Sequence, residues 1–333
     1  MRASRRFFAT ACCSALALAS AACSRAGGGL GPPAPAATTS ASLLEPGPEA
    51  GAGTNPSAAA PAAARDPLLT GEVVKSKSIG HTSYVLKVTL NDGAIAVWKP
   101  RSRLPLGDRR YRGEIAAYRL AAALSLPNVP RQAPRSFAAS SLRALQPGFD
   151  DKALPDDDGR VRGAIAPWLE RYEVVPLERP AARAGWEPWL TDGRTAVPSE
   201  QRALARDLSN LLAFDYLTGN WDRFSGGNLA RDGAAGALLY VDNDGAFYDP
   251  PPAASLAAQL ALLRRVARFS KSFVAALRSL DESKLRAAFG DEAPGVPLLP
   301  GRVVAGVDQR RKTVLGLVDA RLTGDSGVTF DFD

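Results

Sequence analysis

From Leu68 onward the apolar residues become regular, and their period changes once along the chain. The first half alternates as half-buried strands do. Thr70–Ser78 reads as a strand. In Ser83–Leu90, the residues Tyr84, Leu86, Val88 and Leu90 share one face; Asn91-Asp92-Gly93 is a hairpin signal, and Ala94–Lys99 is the return strand. A helix is predicted over Arg110–Leu124, with Ile115, Tyr118 and Ala122 on one face, and strands over Val129–Phe137 and Arg162–Leu169. Between those strands Asp150–Arg160 is acidic and turn-rich, which predicts a surface excursion. The second half has a helical period. Leu204, Leu208, Leu211, Leu212 and Tyr216 recur within Gln201–Leu217, and helices are predicted at Ala253–Leu263, Ser272–Leu280, Glu282–Phe289 and Val303–Arg321. A strand-rich half followed by a mainly helical half predicts an α+β fold of two lobes, about 66–168 and about 169–333, with a ligand cleft between them.

The residues before Leu68 have a different character. Arg2, Arg5 and Arg6 precede the apolar run Phe7–Ala19, and Ser20-Ala21-Ala22-Cys23 is a small-residue cleavage site ending in Cys. Residues 1–22 therefore read as a signal peptide. A Cys at that place resembles a bacterial lipobox, although Ser20 stands where Leu is usual. The expectation is a lipoprotein anchored through Cys23 in the bacterial cell envelope, facing the periplasm or the cell surface. Plain secretion or an uncleaved anchor are the alternatives. Residues 23–65 are mostly Ala, Gly, Pro, Ser and Thr and predict a disordered tether.

Composition narrows the chemistry. All three cysteines, Cys12, Cys13 and Cys23, lie in the export segment, so the body holds neither a disulfide nor a thiolate metal site. The single histidine, His81, excludes a multi-histidine metal site, and no nucleophile-elbow pattern accompanies it. Net charge is +7, and loss of the three signal-peptide arginines leaves a mild +4. With no Lys/Arg block interleaved with aromatics, nucleic acid is not an expected partner.

Four pieces carry candidate chemistry. In "AIAVWKP", alternation puts Ile95, Val97 and Lys99 on one strand face, and a lysine at the inward end of that face needs an anion or a route to solvent. Glu114, in "RGEIAAYRL", lies on the following helix and could pair with Lys99; alone it is an ordinary helix glutamate. Asp222, in "GNWDRFSGGN", follows a long helix beside Arg223, in a stretch that could equally be a solvated connection. In "ALLYVDNDGAF", Asp242 emerges from a short strand. A hairpin of Asn228–Ala230 with Ala237–Val241 brings Asn228 and Asp242 to one end, as oxygen ligands suited to Mg2+ or Mn2+. Asn243-Asp244-Gly245 by itself is a common tight turn. Together, a cation for phosphates, an acid to hold it, a base and two metal ligands are what phosphoryl transfer requires.

"AVWKP", "YRGEIAAYRLAAALSLPNVP", "FDYLTGNWDR" and "YVDNDGAF" resemble the secretory-pathway kinases of the four-jointed and Golgi casein kinase type. More distantly they resemble HipA-like and phosphoinositide 3-/4-kinase-like proteins. The resemblance runs from about Gly71 to Phe247 and implies an atypical protein-kinase-like fold with ATP between a β-rich N-lobe and a helical C-lobe. It implies that Lys99 contacts the ATP phosphates, Glu114 fixes Lys99, Asp222 is the catalytic base, Asp242 a metal ligand and Asn228 the second. Ser78–Ser83 would be the phosphate-covering turn, with Gly80 its one glycine. Val97 would line the adenine slot, and Ala164–Leu169, including Ala166, would be the inter-lobe segment beside it.

The pattern departs in three places. Phe224 stands where relatives often have His, Asn228 lies one residue further from Asp222 than in the phosphoinositide-kinase pattern, and the disulfides of animal relatives are absent. The expectation is an exported ATP-dependent kinase acting on a hydroxyl of a protein or glycan in the envelope. The alternatives are an inactive nucleotide- or ligand-binding lipoprotein, because ATP is scarce outside the cytoplasm, and another nucleotidyl or phosphoryl transfer.

Overall fold

The computed structural model describes residues 66–80, 83–233, 236–323, 329–330 and 332. The signal peptide, Cys23 and the tether lie outside these residues, as do His81 and Thr82 of the expected phosphate-covering turn. No helix among the described residues is long and apolar enough to cross a membrane.

The chain opens with a one-turn helix α1 (Pro67–Thr70), whose first amides are capped by Asp66; the Leu68 amide donates to its Oδ1 at 3.1 Å. Strands β1 (Val73–Ser78), β2 (Leu86–Leu90) and β3 (Ile95–Pro100) follow, then α2 (Arg110–Ala123), β4 (Ala133–Ala138), α3 (Ala139–Leu145), α4 (Phe149–Lys152) and β5 (Arg160–Pro167). After these come β6 (Tyr172–Val174), α5 (Pro180–Thr191), α6 (Arg202–Thr218), β7 (Leu229–Asp232), β8 (Leu238–Tyr240), α7 (Ala253–Leu263), α8 (Lys271–Ser279) and α9 (Glu282–Phe289). A small hairpin of β9 (Asp291–Ala293) and β10 (Val296–Pro297) precedes α10 (Gly301–Leu322).

The first sheet is antiparallel in the order β1-β2-β3-β5-β4, and the second runs β6-β7-β8. The expected hairpins are both present, the first closed by Asn91-Asp92-Gly93 and the second pairing Leu229 with Tyr240. Several strands start later than the sequence suggests. Pro127 and Pro130 delay β4 to Ala133, Ser83–Val85 stays in the turn before β2, and Thr70 closes α1, so that β1 begins at Val73. Helix α5 was not foreseen, because Pro180 and Pro188 disguise it; Pro180 is tolerated at its first turn.

The strand alternation has an unexpected sense. Ala96 and Trp98 point into the sheet's core, where Trp98 packs edge-on against Phe137 at 5.0 Å between ring centres. Ile95, Val97 and Lys99 occupy the opposite face. Lys99 is therefore not at the end of a core-facing row. Val97 pairs with Ala166 and Lys99 with Ala164, so these residues share one open sheet face.

Tyr84, Leu86, Val88, Leu90, Trp98 and Ile165 belong to the sheet's own core. Helix α2 instead contributes Ile115, Ala116, Leu120 and Ala121 to the larger helical core with Leu208, Leu211 and Phe214 of α6. Its small residues allow close approach. A Cβ on Gly113 would lie 2.6 Å from the Asn243 carbonyl oxygen, so α2 rests directly on the turn after β8.

Gly113→Ala should therefore destabilise the protein. On an open helix surface the change gains up to about 1 kcal/mol; here the forced shift should instead cost about 1–3 kcal/mol in urea unfolding. Equal or greater stability would show that α2 can slide off that turn.

Candidate active site

Lys99 ends the exposed face of β3, and Glu114 lies one turn into α2. Their side chains meet with Nζ–Oε1 at 2.5 Å. Lys99 also contacts Asp242 at 2.7 Å and Asp244 at 3.2 Å. Asp242 follows β8 in a left-handed conformation (φ 52°), which turns its carboxylate back toward the lysine. The second Glu114 oxygen accepts the Asn243 amide at 3.1 Å, so one glutamate fixes both the lysine and the turn. Three carboxylates thus surround one ammonium. Burial alone would lower the Lys99 pKa, but Asp242, Asp244 and Glu114 raise it well above its ordinary value. Burial raises the pKa of Glu114, against the opposing pull of Lys99 and with help from the two aspartates.

Asp244 was read from the sequence as a turn residue. It is in fact 1% exposed and accepts from Ser83 Oγ at 2.7 Å and from Arg110 Nη1 at 3.2 Å. Burial would raise its pKa, yet Lys99 and Arg110 hold it below the ordinary value. Only its depth after folding distinguishes it from any Asn-Asp-Gly turn.

The segment after α6 supplies the rest. The Asp222 amide donates to Asn220 Oδ1 at 3.1 Å, closing a tight side-chain turn. The Asn243–Gly245 turn packs against it, since a Cβ on Gly245 would fall 2.9 Å from Asp222 Cβ. Asp222 is 2% exposed, and its Oδ1 has no hydrogen-bond partner. Burial pushes its carboxyl up to about 6; a Ser225 hydrogen bond opposes this, and Asp242 and Asp244 add to it.

Asn228 donates from Nδ2 to the Asp222 carbonyl at 2.8 Å and leaves Oδ1 buried and unpartnered. The Val241 amide donates to the Asn228 carbonyl at 3.2 Å, so Asn228 and Asp242 stand at the same end of the hairpin as expected. Among the described residues no three His, Cys, Asp or Glu side chains form a ready metal cluster. The Asp242 carboxylate and the free Asn228 Oδ1 are an oxygen pair that fits a small divalent cation whose other ligands come from phosphate.

Arg223 binds these parts together, a role its place in the sequence does not show. Its guanidinium, 1% exposed, pairs with Asp215 of α6 at 3.1 Å. It also donates to Asn228 O at 2.8 Å, Val241 O at 2.5 Å and Asn243 Oδ1 at 2.5 Å.

The expected nucleotide contacts Val97 and Ala166 lie side by side on the open sheet face, on the side of Lys99 nearer the connection to the second lobe. Gly80 lies in the β1–β2 turn, where a Cβ would sit 2.0 Å from Ser83 O; the turn's own packing explains this glycine.

This is an α+β, two-lobed kinase-like fold, with the polar cluster between a β-rich and a mainly helical part. No protein-family model and no curated protein matches the chain. Its fold is that of the Golgi casein kinase. One crystal structure of that enzyme superposes with a TM-score of 0.59 at 14% identity, over 78% of this chain and 75% of that one. A crystal structure of the Golgi casein kinase with Mn/ADP bound gives 0.56 at 16% identity, over 75% and 73%. The structure of hydra Fam20 with sugar gives 0.53 at 16% identity, over 77% and 87%. The secretory-pathway kinase resemblance read from the sequence is thus borne out at the level of fold.

Two outcomes follow. Arg223→Ala leaves Asp215 buried without its cation and should cost about 3–5 kcal/mol in urea unfolding; Arg223→Lys, which cannot reach four acceptors, should recover little of it. Asp222 binds its proton more tightly in the native state than in the unfolded chain, with a pKa near 6 against an ordinary 3.8. Native stability should therefore fall as pH rises from about 4 to about 6. In metal-free buffer, Asp222→Asn should be more stable than wild type at pH 8, by up to roughly 3 kcal/mol, and lose that advantage at pH 4. An advantage that does not change with pH would rule out this account of Asp222.

Proposed function

We propose that this domain is an ATP-dependent kinase that transfers the γ-phosphoryl group to a hydroxyl of a protein or glycan. We further propose that it is exported and held in the bacterial cell envelope through a lipid on Cys23. The observation that carries the kinase reading is the Lys99–Glu114 pair at 2.5 Å, meeting Asp242 at 2.7 Å, in a fold shared with the Golgi casein kinase.

When bound, nucleotide and Mg2+ or Mn2+ supply the transferable group and the neutralising charge. Manganese with ADP in a Golgi casein kinase structure supports this cofactor pair. Lys99 binds phosphate oxygens, and Glu114 keeps its ammonium aimed. Asp242 and Asn228 Oδ1 hold the cation. Asp222 accepts the acceptor hydroxyl's proton. A carboxyl titrating near 6 is mostly ionised at neutral pH yet is a stronger base than an ordinary aspartate. Val97 and Ala166 line the base slot.

The purified protein should be stabilised against heat by ATP with Mg2+ or Mn2+, and Asp242→Ala should abolish the shift. With envelope extract, label should pass from γ-labelled but not α-labelled ATP, and Asp222→Ala should stop it. The absence of any nucleotide-dependent shift would overturn the reading. Transfer of α-label would replace it with nucleotidyl transfer.

A further inference from the structure

The β1–β2 turn is expected to cover phosphates, yet its first amides are already used. The Ile79 and Gly80 N–H groups both donate to Val85 O, at 2.9 and 3.4 Å. The turn is folded onto itself, as the 2.0 Å approach of a Gly80 Cβ to Ser83 O shows. A glycine-rich phosphate loop works by offering free backbone N–H donors. Here the Ile79 and Gly80 amides are spent, and cationic side chains beside the turn can supply positive charge in their place.

Beyond Lys99, a second cation faces this place. Arg110 is the first residue of α2, and its side chain is 15% exposed. Its Nη1 lies 3.2 and 3.3 Å from the two Asp244 oxygens and 3.4 Å from Ser83 Oγ, while Nε donates to Pro105 O at 3.2 Å. Its Nη2 makes no hydrogen bond among the described residues. Val97 and Ala166 neighbour Lys99 on the sheet face, and Asp244 contacts both Lys99 and Arg110, so the two cations flank one carboxylate. A nucleotide with its base beside Val97 and Ala166 and a phosphate at Lys99 would bring its terminal phosphate within the reach of a second cation, and Arg110, which shares Asp244 with Lys99, is that cation.

We propose that Arg110 is a phosphate-binding residue for the terminal phosphoryl group of the nucleotide, and that Asp244 is the positioning residue that aims it. The inference rests on the nucleotide reading above. Asp244 accepts from Ser83, Lys99 and Arg110 at once, which ties the covering turn and both cations to one carboxylate. A guanidinium held through Nη1 and Nε still presents Nη2 to phosphate, and a charge-assisted contact of that kind is strong and directional.

Calorimetric titration of the purified protein with ATP, ADP and AMP at fixed Mg2+ tests this. Arg110→Gln should weaken ATP by about tenfold or more, ADP by less than about threefold and AMP hardly at all, so that the preference for ATP over ADP collapses. Arg110→Lys keeps the charge and loses the fork, and should fall between. Asp244→Asn should shift the same ratio in the same direction by less.

If Arg110→Gln fails to fold, Arg110→Lys decides: a reduced ATP/ADP ratio supports the assignment and an unchanged ratio overturns it. Equal weakening of ATP and ADP in a folded Arg110→Gln, or no weakening, overturns the assignment and leaves the kinase reading standing. Wild-type protein that binds neither nucleotide removes both.

Discussion

The geometry of the candidate site depends on one buried guanidinium. Arg223 ties Asp215 in α6 to the end of the β7–β8 hairpin, through the Asn228 and Val241 carbonyls, and to the Asn243 side chain in the following turn. A buried ion pair adds little net stability, because desolvating the charges offsets their attraction. What it supplies here is position. The Asp215 carboxyl, raised to about 6 by burial and held down by Arg223, belongs to a helix deep in the helical core. Through Arg223 that core fixes where Asn228 and Asp242 emerge, and so where a cation can bind relative to Asp222.

On this frame sits an excess of negative charge. Glu114, Asp242 and Asp244 share Lys99 and Arg110, and Asp222 lies close enough for the two aspartates to raise its pKa. Burial is the main reason that the Glu114 and Asp222 carboxyls both titrate above their ordinary values, and the charges of Asp242 and Asp244 add to it. In the proposed mechanism a divalent cation would offset that negative charge, and a triphosphate would take up the two cations in exchange. On that reading the cluster's negative charge would favour the cation-bound state. Ligand binding and domain stability should therefore be linked more strongly than contact area alone would give.

The sequence carries the elements whose signal is local. Asn91-Asp92-Gly93 defines the first hairpin, the leucines of α6 define a helix, and Lys99, Glu114 and Asp242, far apart in the sequence, meet in the fold. What it conceals depends on tertiary contact. In β3 both alternating rows are apolar, so alternation finds the faces without saying that Trp98 takes the core and Val97 the cleft. Asp244 sits in a turn like many others until Gly113 and Gly245 let α2 and the Asp222 segment close over it. Arg223 reads only as a neighbour of Asp222, because its four partners are scattered from residue 215 to residue 243.

The departures from the kinase pattern are resolved by the same contacts. The extra residue between Asp222 and Asn228 is taken up by Gly226 and Gly227, both at positive φ (115° and 81°), a conformation side-chain-bearing residues rarely adopt. Asn228 is then returned to the loop by its own Nδ2, which donates to the Asp222 carbonyl, and by Arg223, which holds its backbone. Only Oδ1 is left over, buried and without a partner. Phe224, where relatives often carry His, packs on the helical core under the Arg183 guanidinium, 5.7 Å from its ring centre, and so does structural work. The position that loses a polar group is thus one that packing occupies, while the displaced asparagine keeps a free oxygen beside Asp222. This is why, of the residues in this loop, Asn228 is the second metal ligand in the proposed mechanism despite its irregular spacing.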